Sequence, residues 1–243
     1  MGAVATKTVN DQLVIYDSTY PHRWLDAYGP NVVKWLEEGQ QTPYLAANEL
    51  ACCATTLVST GAGEAIANVA GATGGEILIT TANLTDDGWN IQLNGAAYKF
   101  GSAHPAYFGM RMKSDEATNS DFLFGWASPA TTDLLAAVVD AIYFLKVDGA
   151  TSVAFVVEKD SVACTVAGVQ TFAANTYYTY EIVFDGTVVS AYIDGALVAS
   201  IAVTNASFPN NEYLTPSLHF ITGEDATNTM TVDWIRAIQL QTM

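Results

Sequence analysis

Basic residues are scarce in this chain: nine Lys plus Arg stand against 25 Asp plus Glu over 243 residues, a formal net charge of -16. A surface of that sign repels phosphate backbones and anionic headgroups, which excludes nucleic-acid or membrane binding by general electrostatic attraction. Cysteine is equally sparse. Cys52, Cys53 and Cys164 are odd in number and two are adjacent, so neither a disulfide framework nor a spaced zinc quartet can be written. They read as small buried apolar side chains, with a mild preference for assembly in a reducing cytoplasm. No apolar run approaches a membrane span, and the opening MGAVATKTVNDQLVIY lacks the basic-then-apolar order of an export signal. The expectation is a soluble chain without a standard signal peptide, in which the glycosylation patterns Asn83-Leu84-Thr85 and Asn205-Ala206-Ser207 are chance.

Familiar catalytic signatures are missing as well. His22, His104 and His219 are isolated, no Cys-x-x-Cys or Gly-x-Ser-x-Gly occurs, and the glycine clusters at 61–63 and 71–75 do not open a helix as a phosphate cradle would. A lone histidine in a strand such as His219 reads as structural. Calcium is the one ion that the acidic loops could take, through Asp86, Asp87, Asp115, Glu116, Asp121 or Asp133. None of these shows a diagnostic spacing, so no cofactor is expected.

What the chain does have is apolar residues, 50% of the total, with only 14% charged. That composition makes an ordered protein with enough chain for a sizeable core. The stretch YYTYEIVFDGTVVSAYIDGALVASIAV (177–203) sets the pattern. Tyr178, Tyr180, Ile182 and Phe184 share one strand face, and Asp185-Gly186 and Asp194-Gly195 supply the positive φ of tight hairpin turns, giving an antiparallel meander. Glu181 and Asp185, on the other face, read as solvated.

Short apolar or alternating runs recur at 53–59, 64–70, 75–81, 88–93, 97–100, 105–113, 121–127, 141–147, 151–158, 161–166, 177–185, 187–193, 196–204, 214–221 and 229–240, and only 132–139 looks helical. This spacing predicts an all-β fold, an antiparallel β-sandwich or jelly roll. Phe122, Phe124, Trp126, Tyr143, Leu145, Phe155 and Val157 are its expected core.

Residues 1–50 differ. They hold Tyr16, Tyr20, Trp24, Tyr28, Trp35 and Tyr44 and show no long alternation; one short helix is expected after Asn31, on the stripe Val32, Val33, Trp35 and Leu36, ending at Gly39. The division expected is an N-terminal arm, 1–50, and a sandwich domain, 51–243. An arm unable to form its own core buries its rings against the main domain or a neighbouring subunit, and the neighbour is the expectation.

Three segments, PAYFGMRMKSDEATNSDFLFGWAS (105–128), TYYTYEIVFDGTVVSAYIDGALVASIAV (176–203) and MTVDWIRAIQL (230–240), together resemble the concanavalin A-like lectin/glucanase superfamily, including laminin-G-like domains. The resemblance implies a sandwich over residues 60–240 with Asp233-Trp234-Ile235-Arg236 in its closing strand. Glucanases of that superfamily set carboxylates at alternate strand positions, because retaining hydrolysis needs two carboxyl groups about 5–5.5 Å apart. The nearest match here, Glu158-Lys159-Asp160, lacks the third carboxylate and reads as a turn.

The runs KTVNDQLVIYDSTYPHRWLDAYG (7–29) and SDFLFGWASPATTDLLAAVVDAIYFLKVDGATSVAFVVEKD (120–160) resemble tailed-bacteriophage virion proteins that carry such a domain. This second resemblance implies a non-enzymatic structural protein of the virion, a capsid decoration or cement subunit. Its partner would be the major capsid protein or another virion protein, it would form a dimer or trimer, and it would be located in the virion after assembly in the host cytoplasm. The alternative is a carbohydrate-binding module for host glycans, with Trp89, Tyr107, Trp126, Tyr213 and Trp234 as candidate stacking residues.

Overall fold

The computed structural model describes residues 3–38, 53–58 and 63–241. The N-terminal segment is extended rather than helical. Strands β1 (Val4–Val9) and β2 (Gln12–Asp17) form a hairpin over Asn10 and Asp11, both at positive φ, and β3 (Trp24–Tyr28) pairs with β2 to complete a three-stranded sheet. Strand β4 (Val32–Glu37) replaces the expected helix. Val33 and Trp35 pack into the main core while Val32 and Leu36 pack on the opposite side, a period of two. With apolar residues on both faces the strand loses its alternation, and Val32, Val33, Trp35 and Leu36 then imitate a helical stripe.

The runs expected as strands are strands. They are β5 (Cys53–Val58), β6 (Ala65–Asn68), β7 (Ile77–Thr80), β8 (Gly88–Leu93), β9 (Tyr98–Lys99), β10 (Ala106–Ser114), β11 (Ser120–Ala127) and β12 (Ala141–Lys146). After them come β13 (Ser152–Lys159), β14 (Val162–Thr171), β15 (Tyr178–Phe184), β16 (Val188–Ile193), β17 (Ala196–Ala202), β18 (Tyr213–Thr222) and β19 (Thr229–Leu240). The single helix among the described residues is one turn, α1 (Leu134–Ala137), N-capped by Asp133. Asp160 and Ser161, at φ 51° and 61°, turn β13 into β14, so Glu158-Lys159-Asp160 is the hairpin its sequence predicts.

Two antiparallel sheets stack face to face. The first runs β17-β16-β15-β10-β19-β7-β6 with β4 also on β19; the second runs β14-β13-β12-β11-β18-β8-β5 with β9 on β18. Between them lies an aromatic core, in which the Tyr180 ring sits 4.8 Å from Phe124 and 5.1 Å from Phe144, centroid to centroid. Although it belongs to residues 1–50, β4 is a strand of this sandwich, paired with Ile235–Leu240 of β19.

The outer face of each sheet carries a cover. On the second sheet it is the α1 segment, where Leu134 and Leu135 pack on Leu123 and Tyr143 and where Asn90 and Gln92 bind backbone groups of residues 128–134. On the first sheet it is the β1–β3 sheet. Trp24 stacks on Tyr107 with ring centroids 6.2 Å apart, and Val14 and Ala27 pack beside Ile238 and Leu240.

Candidate functional site

Where β1–β3 meet the outer face of the first sheet, a cleft of about 410 Å³ stays open. The pairing of β10 with β19 explains what lines it. Arg111 opposes Trp234 and Met112 opposes Val232, so Asp233 is an extra residue, a β-bulge. On a regular strand, successive side chains face opposite ways; here Asp233 and Trp234 both reach the cleft. Arg111 meets Asp233 at 2.5 Å, and two residues further along β19 Arg236 lies 4.7 Å over the Trp234 ring and pairs with Glu38 at 2.6 Å. Gly109, beside them on β10, has no room for a side chain: a Cβ there would overlap the Tyr107 hydroxyl and lie 2.9 Å from Trp234.

Behind Arg23, which lines the cleft, lies a buried carboxylate. Glu181 of β15 has no exposed side-chain surface, accepts hydrogen bonds from Arg23 Nε and Nη2 at 2.7 Å each and from the Tyr107 hydroxyl at 2.8 Å, and has His22 Nε2 at 3.4 Å. Burial pushes its pKa up, but the hydrogen bonds from Arg23 and His22 outweigh this and hold it below the usual carboxylate range. Burial likewise opposes the charge on Arg23, and Glu181 more than restores it. The expectation of a solvated Glu181 is therefore corrected. It does occupy the outer face, but that face has a roof.

The chain has three arginines, Arg23, Arg111 and Arg236, and all of them line this cleft. Sequence reasoning missed them and their partners Asp233 and Glu38. The available signal was the scarcity of arginine; convergence depends on strand register, which composition does not show.

The other expected site residues are dispersed. Trp126 is fully buried with Phe100 5.0 Å and Phe108 5.6 Å away, Tyr107 is fully buried under Trp24, and Trp89 is a core residue that donates to the Thr80 carbonyl. None of these three can present a ring to a sugar, which corrects that part of the expectation. Tyr213 is exposed, with Lys99 5.3 Å over its ring, and lies outside the cleft. In the N-terminal segment Trp24 and Trp35 are buried by the chain's own sandwich, Tyr16 and Tyr20 are half-buried, Tyr28 is exposed, and Tyr44 lies outside the described residues.

Among the described residues, no group of three or more acidic, histidine or cysteine side chains is arranged to hold a metal ion. Several of the acidic residues instead satisfy backbone groups: Asp115 accepts from Thr229, Glu116 from Thr118 and Asn119, Asp121 from Asp148, and Asp133 caps α1. His219 is buried against Asn90 at 2.6 Å, and burial lowers its pKa to about 4.

No family model and no curated protein sequence matches the chain. Solved structures do. An endo-1,3-beta-glucanase from Streptomyces sioyaensis superposes with a TM-score of 0.58 at 12% identity, over 89% of this chain and 99% of the glucanase. The fold is a concanavalin A-like jelly roll. A beta-glucanase from Bacillus licheniformis shares it at a TM-score of 0.55 and 15% identity, covering 84% of this chain and 97% of its own. An endo-beta-1,4-glucuronan lyase from Trichoderma reesei reaches 0.52 at 10% identity, over 86% and 95%. These neighbours overturn the expectation of a non-enzymatic protein, which followed from the virion resemblance and the missing catalytic signatures: the sandwich carries glucanases and a lyase, so the absence of those signatures is no ground for excluding chemistry.

Proposed function

We propose that the protein binds a carbohydrate chain in the cleft beside Trp234. One observation carries this reading: the bulge at Asp233 sets an indole, an aspartate and two arginines side by side in an open cavity of about 410 Å³. Sugar recognition uses that combination, an apolar ring against the C–H face of a pyranose and fixed donors and acceptors for its hydroxyls. Tyr177 extends the surface, its ring 4.1 Å from the Arg111 guanidinium. Support also comes from the neighbours, two named as glucanases and one as a glucuronan lyase. The carboxylates of Asp17, Glu38 and Asp233 give the cleft proton-transfer groups as well as binding groups.

The virion role expected from the N-terminal segment leaned on free aromatic rings, and Trp24 and Trp35 are spent inside the chain. The carbohydrate reading therefore takes precedence. Its test is a glycan array with wild type and Trp234→Ala, with cleavage products assayed in the same samples. Selective, saturable binding that drops at least ~10-fold in the variant is expected. Binding that Trp234→Ala leaves intact, or no binding at all, would sink it.

A further inference from the structure

We propose that the cleft takes an uncharged sugar rather than a uronate or a sialylated one. This rests on the reading that a glycan occupies the cleft, and it is decided by charge. Three arginines in one cavity of a chain with a net charge of -16 look at first like a site for an acidic ligand. Each guanidinium, however, is already held by a carboxylate: Arg23 by Glu181, Arg111 by Asp233 and Arg236 by Glu38. Asp17, Glu38 and Asp233 line the cavity against three guanidiniums, and Glu181, buried behind Arg23, is a fourth carboxylate that brings the local balance to -1. A sugar carboxylate entering here would meet guanidiniums whose charge is already neutralised and would come to rest beside their carboxylates, against the field of the whole molecule.

Hydroxyls meet no such obstacle. An arginine paired with one carboxylate keeps further N–H donors, and the carboxylate keeps lone pairs, so each pair offers a donor and an acceptor in a fixed plane. A vicinal diol, which both donates and accepts, matches that arrangement without disturbing the pair. Trp234 and Arg236, stacked 4.7 Å apart, form the adjoining wall.

The experiment titrates wild type and two variants with neutral gluco- and galacto-oligosaccharides and with uronate oligosaccharides of matching length, at low and at high sodium chloride. Wild type is expected to prefer the neutral set, with affinity nearly independent of salt. Asp233→Asn releases Arg111, and Glu38→Gln releases Arg236 at a surface position that tolerates the change. Each variant is expected to gain uronate binding by about tenfold, in a salt-sensitive manner. A wild type that prefers uronates, with affinity falling as salt rises and lost in Trp234→Ala, overturns the charge argument while leaving glycan binding in place. Uronate affinity unchanged in both folded variants overturns it as well. Failure of both sugar classes to bind removes the underlying reading and this one with it.

Discussion

Arg23, immediately before β3, closes two nitrogens of its guanidinium on the carboxylate of Glu181, 158 residues away on β15 of the first sheet. This bidentate pair ties the N-terminal sheet to the sandwich and fixes Arg23, which lines the candidate site. Removing one partner of a buried pair costs more than the pair itself contributes, because the remaining charge stays desolvated.

Glu181→Gln is accordingly expected to destabilise the fold at neutral pH by about 3 kcal/mol, the low end for a buried pair because Arg23 keeps some exposure. The folded carboxyl lies below its ordinary 4.5, so its contribution is fully present above pH 4.5 and fades as pH falls through the depressed value. Denaturant midpoints of wild type and variant should differ at pH 7 and converge in acid. A gap that persists unchanged in acid contradicts the assignment.

Asp121 has the opposite sign. Burial raises it from 3.8 to about 6, against the favourable hydrogen bond from Asp148 and the charge of Lys146. The ionised form is therefore the costly one: the cost is absent below pH 3.8, grows up to about pH 6 and stays constant above. Asp121→Asn keeps an oxygen for the Asp148 N–H and should stabilise the protein above pH 6 by about 2–3 kcal/mol, with no gain below pH 3.8. Equal thermal midpoints at pH 7 would count against it.

Trp24→Ala removes a ring that is 4% exposed and stacked on Tyr107. The expected loss is about 3–5 kcal/mol in a single cooperative unfolding transition. Separate loss of the N-terminal sheet, visible as fast hydrogen exchange in β1–β3 with the sandwich transition unmoved, would mean that the sheet is an independent arm.

Gly109→Ala places a methyl group against the Tyr107 hydroxyl and the Trp234 ring. Overpacking of this kind costs about 1–3 kcal/mol, and displacement of Trp234 should weaken glycan binding together with stability. Unaltered binding by a folded variant would place the sugar elsewhere.

Much of the sandwich is legible in the sequence because its determinants are local. Side-chain alternation marks β10 through β19, and Asp194-Gly195, at φ 50° and 83°, turns β16 into β17 wherever the hairpin lies in space. The N-terminal strands were illegible for an equally physical reason. β4 carries apolar residues on both faces, so its alternation vanishes, and the three residues Val4, Leu13 and Tyr28 expose apolar surface where a regular pattern would put polar groups.

The site was less legible than the fold. Trp234 is visible as an aromatic residue in a closing strand, but its partnership with Asp233, Arg111 and Arg236 needs the bulge in the β10–β19 register. A bulge leaves no mark on composition; it exists only in the pairing of two strands that lie more than a hundred residues apart in the chain.

By itself the sequence determined the period-two strands, their tight turns and the negative charge, since each follows from neighbouring residues or from simple addition. Tertiary structure alone decided which sheet face received a cover, that Glu181 would lose its water, and that three distant arginines would share one cavity. Those outcomes depend on long-range packing, where a side chain's surroundings come from remote strands and not from its neighbours in the chain.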